Sequence, residues 1–105
     1  MGKKESIRII ENFVERLSKD FSVHRIIFFG SRVNGRARRD SDIDIIVVSD
    51  NFEGMNFFKR VTKMYDYWDE LVPVDFLCYT ITEFERLKKR ISIVKEALEN
   101  GIVVR

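Results

Sequence analysis

The chain has 105 residues, 19 basic against 17 acidic for a net charge of +2, with 45% hydrophobic and 34% charged residues. That length suits a single domain spanning residues 1–105, and the composition excludes a disordered or membrane-embedded chain. The charge balance is too even to argue for nucleic-acid binding by charge alone. No apolar run approaches bilayer-spanning length, and Met1-Gly2-Lys3-Lys4-Glu5 is not followed by an apolar leader, so a cytoplasmic location is expected. The single cysteine, Cys78, excludes an internal disulfide and reads as a buried, inert thiol.

In chain order, Ser6 to Phe21 places Ile7, Ile10, Phe13, Val14, Leu17 and Phe21 mostly three or four apart, which predicts an amphipathic helix. From Val23 or His24 to Phe29 the chain is almost continuously apolar, as a strand covered on both faces would be. Ser31 to Ala37 has room for a turn or two of helix before a second strand, Asp42 to Val48. Ser49-Asp50-Asn51 offers turn and N-cap chemistry ahead of a helix from Met55 to about Trp68. Pro73 biases Val72 towards extended geometry, and Val74 to Tyr79 is a third strand. Thr82 and Glu85 suggest a capping box for a last helix with Phe84, Leu87, Ile91, Val94 and Leu98 on its stripe. Gly101 stops it, and Ile102-Val103-Val104 can add an edge strand.

These elements predict an α+β fold, a small mixed β-sheet flanked by helices in the order α-β-α-β-α-β-α. A helical crossover should make the second and third strands parallel, whereas the short link between the first and second favours antiparallel pairing. Gly30-Ser31, Asp42, Asp44 and Asp75 would then gather at one edge. Asp42 and Asp44, two apart on a strand, face the same side and can together hold a divalent cation.

Gly30-Ser31, ten intervening residues, then Asp42-Ile43-Asp44, with Val74-Asp75-Phe76 on a later strand, resembles the signature of the minimal nucleotidyltransferases (MNT) of the DNA polymerase beta superfamily. That group includes the MNT antitoxins paired with HEPN toxins. Asp-x-Asp alone is a weak signal; joined to Gly-Ser at this spacing, on a strand-turn-strand, it is a strong one. The resemblance implies that Asp42, Asp44 and Asp75 are catalytic and hold Mg²⁺, two ions in all, with Asp75 also helping to activate an acceptor hydroxyl. It further implies that Gly30 and Ser31 hold the β- and γ-phosphates of a nucleoside triphosphate, most simply ATP.

Of the four arginines between Ser31 and Asp40, Arg32 and Arg36 are the candidates for phosphate contact, because a guanidinium fork suits phosphate oxygens. The implied activity is transfer of AMP to a hydroxyl on a partner HEPN toxin, with the chain acting as antitoxin. The alternative is a non-catalytic antitoxin that neutralises its partner by binding. His24 is assigned no role. Tyr65 to Glu70 reads as core contacts mixed with a solvated face, and Phe13, Phe28, Phe58 and Phe84 fall at core-facing spacings.

Overall fold

The computed structural model describes residues 2–35 and 42–105. Its elements are α1 (Lys3–Leu17), β1 (Arg25–Phe29), β2 (Ile43–Val48), α2 (Phe57–Tyr65), β3 (Val74–Tyr79), α3 (Ile81–Leu87), α4 (Ile93–Asn100) and β4 (Ile102–Val103), with a 3₁₀ turn at Asp50–Phe52. Among the described residues the strands form one sheet in the order β3-β2-β1-β4. β2 and β3 are parallel, and β1 is antiparallel to both β2 and β4, so the mixed sheet and its pairing directions follow the sequence expectation.

The sheet is covered on both faces, which explains why its central strands read as unbroken apolar runs. Ile26, Phe28, Ile43, Ile45, Val47, Val74, Phe76 and Cys78 pack with α1 and with Met64 of α2. Ile27, Ile46 and Val48 pack with Phe84 of α3 and with Val94 and Ala97 of α4. By strand alternation Asp44 and Asp75 belong to this second face, at the end of the sheet where β2 and β3 begin.

Several local expectations shift, each for a physical reason. α1 starts at Lys3 because Gly2 is extended and its carbonyl accepts from both the Ser6 N–H and the Ser6 hydroxyl, at 3.0 Å each. In place of the expected helix, Ser31–Gly35 forms turns, and residues 36–37 lie outside the described residues. The single last helix is two. Ser92 accepts from the Lys95 N–H at 3.1 Å to cap α4, while its hydroxyl donates to the Leu87 carbonyl at 2.7 Å and closes off α3. Ile91 therefore falls in the break, fully exposed, rather than on an apolar stripe. The capping box is real but sits two residues earlier, at Thr80 and Glu83. Phe58, expected in the core, is 78% exposed on the outer face of α2.

α2 also guards the free edge of β3. Arg60, buried, donates to the Cys78 carbonyl at 3.1 Å and to the Met55 carbonyl at 3.0 Å, and forks onto Glu83 at 2.6 and 3.2 Å. Tyr65 donates its hydroxyl to the Val74 carbonyl at 2.8 Å. Two outward carbonyls of an edge strand are thus satisfied by side chains, which blunts its capacity to pair with another chain.

Candidate functional site

The site is assembled by strand register. Asp44 lies opposite Phe29 of β1 on one side and opposite Asp75 of β3 on the other. The turn that follows Phe29 therefore sits against the Asp44 carboxylate. The Pro73 carbonyl accepts from the Ile43 N–H at 2.9 Å, which ties the start of β2, next to Asp42, to the start of β3.

Gly30 has φ +88°, in the left-handed region where a β-carbon is disfavoured. A methyl group there would also overlap Oδ2 of Asp44, so glycine is required twice over. The Gly30 carbonyl then accepts from the N–H groups of Val33 and Asn34, at 3.0 and 3.3 Å, and turns Ser31 and Arg32 back along the sheet edge. Ser31 is half-buried, whereas Arg32 is almost wholly buried. Arg36 lies outside the described residues.

Electrostatics confirm that the three aspartates share one field. The Asp44 carboxyl is raised to about 6, first by burial, then by the negative charge of Asp75, then by that of Asp42. Tyr65, read from the sequence as part of a mixed helix face, reaches the same corner: its hydroxyl is raised by burial and then by Asp75 and Asp42. Nothing in helical spacing marks Tyr65 as a neighbour of the aspartates; only its hydrogen bond to Val74, one residue before Asp75, does so.

Among the described residues no three acidic, histidine or cysteine side chains converge closely enough to ligate one ion by themselves. The donor set nevertheless suits Mg²⁺, which takes oxygen ligands and usually shares one or two carboxylates with waters and substrate phosphates. The raised Asp44 carboxyl, beside the negative charges of Asp75 and Asp42, marks a site of negative potential, which a divalent cation would relieve.

A family model for the nucleotidyltransferase domain matches residues 7–100, and the chain belongs to that family. It is 27% identical over 104 residues to the probable protein adenylyltransferase MntA of Haemophilus influenzae, covering 95% of this chain and 87% of that protein. In fold it is similar to a Sulfolobus solfataricus protein assigned as a nucleotidyltransferase, with a TM-score of 0.68 at 23% identity over 95% of this chain and 79% of that one. A toxin-antitoxin structure with AMP-PNP gives a TM-score of 0.56 at 19% identity over 90% and 71% of the two chains. At such identities the two structures speak for the fold alone. Among the described residues no helix is long and apolar enough to cross a membrane.

Proposed function

We propose that the protein transfers AMP from ATP to a hydroxyl group on a partner protein of the HEPN toxin class, and so acts as an antitoxin. The observation that carries this reading is the packing of Gly30 against Asp44 while Asp44 stands in register with Asp75. The glycine-serine turn and the carboxylates of two strands are thereby placed side by side. The Haemophilus influenzae relative is named a probable protein adenylyltransferase, which supports a protein as the acceptor.

In this reading Asp42 and Asp44 hold the cations, and Gly30 and Ser31 seat the β- and γ-phosphates, with Arg32 and Arg36 adding positive charge. Divalent cations bound there would neutralise the triphosphate and the developing charge on the leaving group. The acceptor oxygen attacks the α-phosphorus, Asp75 takes the hydroxyl proton, the bond to the β-phosphate oxygen breaks, and pyrophosphate leaves. Phosphoryl chemistry of this kind needs positioning and charge neutralisation rather than a covalent intermediate.

Incubation with α-labelled ATP, Mg²⁺ and the cognate HEPN protein should label that protein and silence it. Asp44→Asn should abolish both effects. The second reading, neutralisation by binding alone, draws on the lack of a complete three-ligand cluster among the described residues. It requires instead that Asp44→Asn leave silencing intact with no label transferred.

A further inference from the structure

A cavity of about 220 Å³ opens between the Gly30 turn and α4, lined by Phe29, Gly30, Asn34, Ala97 and Gly101 together with Ile93, Glu96 and Asn100. Four of these, Ile93, Glu96, Ala97 and Asn100, stand at i, i+3, i+4 and i+7 of α4 and form one continuous helical stripe. Packing against the sheet accounts for Ala97, which is buried with Val94. It does not account for Ile93, which stays 45% exposed at the mouth of the cavity.

We propose that this cavity receives the base of the nucleotide; the inference rests on the nucleotidyl-transfer reading and specifies where its substrate is recognised. Continuity argues for it: Gly30 is at once a wall of the cavity and the backbone that abuts Asp44. By strand alternation Phe29 lies on the same face of the sheet as Asp44 and Asp75. A ligand spanning the turn would therefore have its phosphates by the carboxylates and its other end against α4.

Size and chemistry agree. Pockets that enclose a whole drug-sized ligand run to roughly 300–1,000 Å³. The cavity is smaller than that, so it suits a planar ring system and leaves sugar and phosphates outside. Phe29, Ile93 and Ala97 give an apolar bed for the faces of a ring, while the Glu96 carboxylate and the Asn100 amide, one turn apart on the rim, can accept from and donate to its polar edge.

The test is equilibrium titration of the full chain in Mg²⁺ with ATP and, separately, with inorganic tripolyphosphate, for the wild type, Ile93→Ala and Asn100→Ala. Both substitutions shorten exposed side chains, so folding should survive, and tripolyphosphate binding reports independently that it has. ATP should bind about tenfold more weakly to Ile93→Ala and several-fold more weakly to Asn100→Ala, with tripolyphosphate changed less than about twofold. Unchanged ATP affinity in both variants, or equal losses for the two ligands in folded protein, would overturn the pocket assignment alone. A wild type that binds neither ligand would overturn the nucleotidyl-transfer reading, and the pocket with it.

Discussion

Asp44→Asn should make the metal-free protein more stable at neutral pH while removing its activity. The Asp44 carboxyl titrates near 6 in the fold, against about 3.9 in an unfolded chain. Because the folded state binds this proton more tightly, the favourable contribution is complete below about pH 4 and is lost as pH rises through 6. A gap of about two pH units converts at 1.36 kcal/mol each to about 3 kcal/mol. The Asp44 side chain is half-buried and not fully enclosed, so solvent screening leaves about 1–2 kcal/mol. Asparagine has the same shape and no charge, and it escapes that cost. Urea titrations in a chelator should therefore find Asp44→Asn more stable by about 1–2 kcal/mol at pH 8, with the difference vanishing towards pH 4. Adding Mg²⁺ should stabilise the wild type more than the variant. A variant less stable than wild type at pH 8, or a difference that ignores pH, would refute the claim that burial and the neighbouring aspartates disfavour the Asp44 charge.

Gly30→Ala should destabilise the fold by about 1–2 kcal/mol from the positive φ alone, and displacement of Asp44 should remove label transfer, read from melting curves and the transfer assay. Arg60→Ala should cost about 3–5 kcal/mol in urea unfolding, because Glu83 and the Met55 and Cys78 carbonyls lose a buried partner; Arg60→Lys should restore little, since it cannot fork onto Glu83. Ile91→Lys should change stability by less than about 0.5 kcal/mol, whereas one continuous last helix with Ile91 on its apolar stripe would predict a large loss. Burial pushes the Cys78 thiol up to about 12, partly offset by Arg60, so a thiol reagent at pH 8 should label the protein only once it unfolds.

The strands were readable because each is a short apolar run with a clear end. Gly30 closes β1, and Pro73 sets the start of β3, whose limits at Val74 and Tyr79 match the expectation. Pairing directions followed from connection lengths, and with them the meeting of Gly30, Asp44 and Asp75. The break between α3 and α4 was hidden because Leu87, Ile91, Val94 and Leu98 keep helical spacing across it; the cue was Ser92, a good N-cap before Ile93-Val94. Thr80-Ile81-Thr82-Glu83-Phe84-Glu85 holds two overlapping capping boxes, and only the end of β3 decides between them. Nothing in the sequence marks Arg60, since its ion pair with Glu83 is a tertiary fact. Phe57 covers the guanidinium of Arg60 instead of joining the core, and Phe58 points outward, because α2 meets the sheet at its β3 edge. The cavity beside Gly30 was beyond reach of the sequence, because it depends on how closely α4 approaches the turn after β1.

The most direct test of the account is a crystal soaked with Mn²⁺ and a non-hydrolysable ATP analogue, with the metal located by anomalous scattering. Density for manganese between Asp42 and Asp44, with the β- and γ-phosphates on the Gly30-Ser31 turn and Asp75 facing the α-phosphate, is the result expected. Nucleotide bound away from that corner, or metal scattering remote from both aspartates, would contradict it.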